Sequence, residues 1–176
     1  MVESYIVVDI EASGPIPEKY SMLSFGACKA FDTHKTFYRE IKPLNGNFVK
    51  KSLEVANLSM EKLMKHGKLP KQAMLEFEEW IYLVCGDDEP FFVAFPAPFD
   101  WMFINYYFHK FLGRNPFNRN FLDMKSYFAG MEKLPIKEAT REKLFRRFPT
   151  RKKHTHNALD DAVAYAEIFE QMLKQE

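Results

Sequence analysis

Two carboxylates, Asp9 and Glu11, stand two residues apart near the end of the apolar run Tyr5-Ile6-Val7-Val8-Asp9-Ile10-Glu11, which closes on Ala12-Ser13-Gly14-Pro15. In an extended strand they share a face with Val7, while Ile6, Val8 and Ile10 line the other. Both faces are then largely apolar, the pattern of a central strand covered on both sides. Acids at the end of such a strand are costly unless a charge compensates them. A divalent cation is the simplest compensation. Magnesium and manganese take oxygen ligands, a few carboxylates completed by waters and substrate phosphates, so the pair points to metal-assisted phosphoryl chemistry. The bland alternative is two strand-end acids facing solvent or basic partners.

Further acids occur where that pair could use them. Asp100 follows the apolar run Phe91-Phe92-Val93-Ala94-Phe95 at a strand-to-helix junction, where crevices open in α/β sheets. Asp161 falls in the first turns of a C-terminal helix, five residues after His156. Converging carboxylates repel one another unless cations lie between them. Two ions about 3.5 to 4 Å apart would clamp the attacking and leaving oxygens of a phosphodiester. His156, in Lys-Lys-His-Thr-His-Asn-Ala-Leu-Asp-Asp, titrates near neutrality as an ordinary histidine does and could take a proton from an attacking water. Asp160 and Asp161 point about 100° apart on a helix, so one of them reaches inward.

The elements that must position these groups are legible in outline. Tyr20 to Phe31 and His34 to Ile41 read as two further strands, which with the first make an antiparallel meander. From Ser52 the period becomes helical: a short helix, a second capped by Ser59 and ending at His66, and a third from Pro70 through Val84, closed by Gly86. The strand Phe91 to Phe95 stops at Pro96-Ala97-Pro98. A helix from Phe99 through Phe111 ends at Gly113, a fifth strand spans Asn120 to Asp123, and Met124 to Met131 is helical. The segment Lys137 to Lys153 is dominated by basic charge, and a last helix spans about Asn157 to Leu173. No repeat or linker interrupts the pattern, so 176 residues predict one α/β domain over residues 1–176, with a mixed sheet and flanking helices.

Composition narrows the class. A net charge of +1 neither requires nor excludes a nucleic-acid partner, since a local basic patch can be balanced elsewhere. Cys28 and Cys85 lie far apart, with no zinc or CxxC spacing, and read as buried thiols in a reducing compartment. No signal-peptide pattern opens the sequence, and no apolar run approaches the roughly 18 to 20 residues of a membrane span, so the expectation is a cytoplasmic protein with no membrane partner. The 18 Phe residues are read first as core, and secondarily as stacking platforms for bases.

Three short segments together, Asp9-Ile10-Glu11, Phe99-Asp100 and His156-Asn157-Ala158-Leu159-Asp160-Asp161, resemble the motifs of the DEDD 3'-5' exonucleases, in the histidine-containing DEDDh branch. Each is weak alone; three in order over nearly the whole chain form a specific signature. The resemblance implies a ribonuclease-H-like fold with a five-stranded mixed sheet, an antiparallel meander joined to parallel strands. It implies that Asp9, Glu11, Asp100 and Asp161 hold two Mg2+ or Mn2+ ions and that His156 is the general base. The implied reaction is release of 5'-mononucleotides from the 3' end of single-stranded DNA or RNA. Related enzymes are sometimes dimers, so a homo-oligomer is compatible with the resemblance.

This sequence departs from the family at two places. Ala12 stands where the family commonly has Thr, and Phe95-Pro96-Ala97-Pro98 where it often has His-Asn. Neither touches an implied ligand; both bear on the grip of the 3' nucleotide. Ala12 and Ser13, directly after the first motif, are expected beside that nucleotide, and Phe99 is a candidate to stack on its base. Arg151, Lys152 and Lys153, in the basic run leading to His156, could track the phosphate backbone; the competing reading is a solvated, salt-bridged face. The alternative function is a catalytically weak or inactive nucleic-acid-binding protein that retains the fold.

Overall fold

A computed structural model describes residues 2–152 and 155–175. The first strand, β1 (Glu3–Ala12), pairs antiparallel with β2 (Met22–Lys29), which pairs antiparallel with β3 (Asp32–Glu40). Helices α1 (Lys50–Ala56), α2 (Met60–His66) and α3 (Pro70–Cys85) follow. Next, β4 (Glu89–Ala94) returns parallel to β1, α4 (Ala97–Leu112) crosses back, and β5 (Phe121–Asp123) pairs parallel with β4. The chain closes with α5 (Met124–Met131), a 3-10 turn (Ile136–Glu138), α6 (Arg141–Arg147) and α7 (Ala158–Leu173). The sheet order is β3-β2-β1-β4-β5, so the strand bearing Asp9 and Glu11 is central.

The alternation in β1 sorts its side chains into two cores. Ile6, Val8 and Ile10 meet Phe77 and Ile81 of α3 and Phe103, Ile104 and Phe108 of α4. Val7 faces the other way, into Tyr165, Ala166 and Phe169 of α7 with Met124 and Phe128 of α5. Many of the phenylalanines are spent on the first core, where the rings of Phe25, Phe37, Phe77, Phe108 and Phe117 lie 4.9–6.3 Å apart in successive pairs. Within Tyr106-Tyr107-Phe108, Tyr107 and Phe108 are buried, and the Tyr107 hydroxyl accepts from the Met22 N–H at 2.9 Å.

Boundaries shift where local contacts override the pattern. β2 begins at Met22 because the preceding Ser21 N–H is taken by the Ser13 hydroxyl, and the Tyr20 ring packs over Gly14 so closely that a Cβ there would lie 2.3 Å from it. The basic segment, to which the sequence pattern assigned no element, holds the 3-10 turn and α6. Thr140 caps α6 through the Lys143 N–H, and Leu144 and the following Phe148 anchor it in the second core. No helix among the described residues is long and apolar enough to cross a membrane.

Candidate active site

The end of β1 outruns its neighbour, and that mismatch builds the site. Pairing of β1 with β4 stops at Val7 opposite Val93, after which the chain leaves β4 for α4. The Ile10 N–H, beyond the ladder, donates instead to Asp100 Oδ1 at 3.0 Å. An orphaned strand donor thereby fixes an acid from the first turn of α4 beside Asp9 and Glu11. On the other edge, Asp9 pairs with Gly26 and Glu11 with Ser24, and the register shifts between Glu11 and Ala12. Such an irregularity bends the strand and re-aims its side chains.

The third segment arrives on α7, which lies over β1 and β2. Gly26 permits this. A Cβ built there would fall 2.4 Å from the backbone N and Cα of Leu159 and 2.5 Å from the carbonyl carbon of Ala158, so the helix start rests directly on the β2 backbone. Asn157 caps α7, its side chain accepting from Leu159 and Asp160 N–H. Asp161 turns inward and is buried; its Oδ1 accepts from Thr155 N–H at 2.8 Å and its Oδ2 from His156 N–H at 3.0 Å. Asp160 faces outward and receives Lys152 Nζ at 2.6 Å, which settles the choice between the adjacent acids. His156 is exposed, with a left-handed backbone (φ 59°). Ligand atoms of Glu11, His156 and Asp161 all lie within 4.8 Å of one another.

These acids strain against each other. Burial first, then the charges of Asp100, Asp161 and Glu11, push the Asp9 carboxyl well above the ordinary range. Burial and Asp161 push Glu11 up to about 7. Asp100 rises to about 8, chiefly through burial, although the Ile10 N–H bond favours its charged form. Burial also raises Asp161, against the backbone donors of Thr155 and His156. Oxygen donors with one imidazole, crowded enough to resist ionisation together, form a group that can hold a divalent cation.

The other sequence candidates fare differently. Phe99 is exposed next to Asp100, with its ring against Phe103. Ala12 is buried in the first core. Ser13 is a correction: it is fully buried, its hydroxyl donating to Asn47 C=O at 2.8 Å and accepting from Ser21 N–H at 2.9 Å, so it ties the loops behind the site and presents no group to a ligand. Arg151 is also corrected from the open phosphate contact expected of it. It is ion-paired with Glu167 on α7, as Lys152 is with Asp160, because α7 turns its acids toward this loop. Lys153 lies outside the described residues. Gly26, Tyr107 and Arg141 were not singled out as site-building residues by sequence reasoning. The glycine's place opposite Asp9 becomes a signal only once the strand register is known.

Comparison with known proteins agrees with this architecture. Residues 6–169 match the family described as RNase_T, Exonuclease. Over 168 residues the chain is 45% identical to the 3'-5' DNA exonuclease Cap18 of Escherichia coli, covering 95% of this chain and 90% of that protein. Among solved structures it superposes on the nuclease domain of 3'hExo, a DEDDh family member bound to rAMP, with a TM-score of 0.80 at 16% identity, over 97% of this chain and 92% of that one. E. coli exonuclease I in complex with a dT13 oligonucleotide gives 0.74 at 13% identity, over 97% of this chain and 40% of that chain. At such identities these two likenesses speak to the fold alone. The chain belongs to the exonuclease family. Within it, the protein is a 3'-5' exonuclease with the ribonuclease-H-like fold of the DEDDh enzymes.

Proposed function

We propose that the protein is a single-domain cytoplasmic exonuclease that removes 5'-mononucleotides from the 3' end of single-stranded DNA. The observation that carries this reading is the convergence of Asp9, Glu11, Asp100, Asp161 and His156, from three distant segments, at the unpaired end of β1. Likeness to a named DNA exonuclease supports DNA over RNA. Both cysteines are buried and free, in keeping with a reducing compartment.

In this reading the four carboxylates hold two Mg2+ or Mn2+ ions. When bound, such ions offset phosphodiester charge and make a coordinated water acidic. His156, exposed at the mouth with its backbone anchored to Asp161, takes the water proton on its imidazole. The water oxygen bonds to phosphorus, the bond from phosphorus to the 3'-oxygen of the penultimate nucleotide breaks, and that oxygen acquires a proton from solvent. Asp100 and Asp161 are held at the positions this needs by backbone donors, so the constellation is fixed before substrate arrives. Exposed Phe99 offers a face for the terminal base.

The test is a time course with 5'-labelled single-stranded DNA and RNA in magnesium, manganese and chelator, using wild type and Asp9→Ala. A metal-dependent ladder shortening from the 3' end of DNA, absent in the variant, is the expected result. Retardation of both oligonucleotides without cleavage by either protein would overturn it in favour of a binding role.

A further inference from the structure

Within the basic run, most cations of known partner are turned outward onto acids. Lys143 pairs with Glu138, Arg147 with Glu132, Arg151 with Glu167 and Lys152 with Asp160. Arg141 behaves otherwise. It is the first residue of α6, held by the Thr140 cap and by Leu144 in the second core. Its guanidinium interacts with Tyr165, which lies one helical turn beyond Asp161 on α7, fully buried and stacked on Phe95. Arg141 Nε is enclosed and has no hydrogen-bond partner among the described residues. The Arg141 charge acts on Asp9, Glu11, Asp100 and Asp161 alike, in each case favouring the ionised carboxylate.

We propose that Arg141 is a fixed counter-cation of the carboxylate site that makes divalent-cation binding and phosphodiester binding depend on each other. This rests on the metal-dependent reading above. Four carboxylates and one guanidinium leave three negative charges. Two divalent ions overshoot that by one positive charge, and the single negative charge of a phosphodiester closes the balance. With an apolar residue at 141, two ions alone would neutralise the acids, and the full complement would bind without help from substrate. Arg141 acts through the acids and is therefore a positioning residue. Its rigidity matters: anchored on α6 and against Tyr165, it remains in the site as a charge that ions must work against.

The experiment is calorimetric titration of Mn2+ into wild type, Arg141→Leu and Arg141→Lys, each alone and with thymidine 5'-monophosphate as the phosphate probe. For wild type, the nucleotide should tighten Mn2+ binding. For Arg141→Leu, Mn2+ alone should bind roughly threefold to thirtyfold tighter, the scale of one unit charge across a partly solvated site, and the gain from nucleotide should shrink. Arg141→Lys should track wild type, and thermal melting of both variants in manganese checks that they fold. Mn2+ binding to a folded Arg141→Leu that is unchanged or weaker than wild type would overturn the role of Arg141. Absence of Mn2+ binding by wild type would instead overturn the metal assignment beneath it.

Discussion

Replacing Gly26 by Ala should damage catalysis far more than the loss of one hydrogen's worth of space suggests. Gly26 is opposite Asp9 in the β1–β2 register, and the first residues of α7 lie on its backbone. The new Cβ would sit 2.4 Å from Leu159 N and Cα, where ordinary contact begins at 3.4 Å. The helix start must therefore retreat by about 1 Å, and the atoms it meets are backbone, which cannot rotate aside. Asp161 travels with that helix and His156 is bonded to Asp161, so two of the five site residues shift relative to Asp9 and Glu11.

Overpacking of this kind costs about 1 to 3 kcal/mol, equivalent to a fall in melting temperature of roughly 3 to 10 °C for a chain of this size. The chemical cost is larger, because a displacement of about 1 Å in a catalytic constellation lowers turnover by about 10²-fold. The assay is single-turnover cleavage of labelled DNA beside calorimetric melting, with Gly46→Ala as control, since a Cβ at Gly46 meets nothing within 4 Å. The control should match wild type in both. A Gly26→Ala protein that melts lower but turns over normally would show that the sheet, not α7, absorbs the strain, and would refute the role given to this contact.

Four further outcomes can be checked with the same preparations. His156→Ala should slow the chemical step by roughly 10²- to 10⁴-fold with the melting temperature unchanged; an unaltered single-turnover rate would remove it as the base. Asp100→Asn should keep the Ile10 N–H bond through its amide oxygen, raise the melting temperature in chelator by removing a repelling charge, and lower activity by at least about 10²-fold, so a destabilised variant would contradict the electrostatic account. Ser13→Ala leaves Ser21 N–H and Asn47 C=O without the hydroxyl and should cost about 1 to 3 kcal/mol, read by denaturant unfolding, without abolishing turnover. In chelator, Glu11 and Asp100 titrate near 7 and 8 when folded but near the ordinary carboxylate range when unfolded, so the folded state binds more protons in between and stability should fall as pH rises from about 4 to 8; melting that is flat or rising there would refute this.

What the sequence could and could not display follows from the range of each interaction. Alternation in β1 is local, and it correctly separates Ile6, Val8 and Ile10 from Val7 into two cores and makes the strand central. The Ser59 cap and the terminators Gly86 and Gly113 are likewise local chemistry, and the helix ends they imply occur. Distant partners are different. Gly26 and Leu159 meet only because α7 crosses β2, and Tyr107 reaches Met22 only because α4 packs across the sheet. The basic segment misled for the same reason: its charge was visible, but Glu167 and Asp160, which claim Arg151 and Lys152, lie on a helix whose orientation was not.

The placement of the carboxylates carries a cost that explains their fixings. An acid buried beside three others would lower its energy by protonating or by rotating toward solvent, and either response would spoil a cation site. Each escape is opposed by a separate restraint. Asp100 is held by a strand N–H left over where β4 ends, and Asp161 by two N–H groups of the loop before α7. Backbone donors cannot be titrated away, so these restraints persist across the pH range in which the carboxyls themselves change state. Arg141 adds a charge to what the donors supply in direction. The shortfall of β4 relative to β1 thus both opens the crevice and provides the donor that orients one of its acids, which ties the position of the chemistry to the length of a strand.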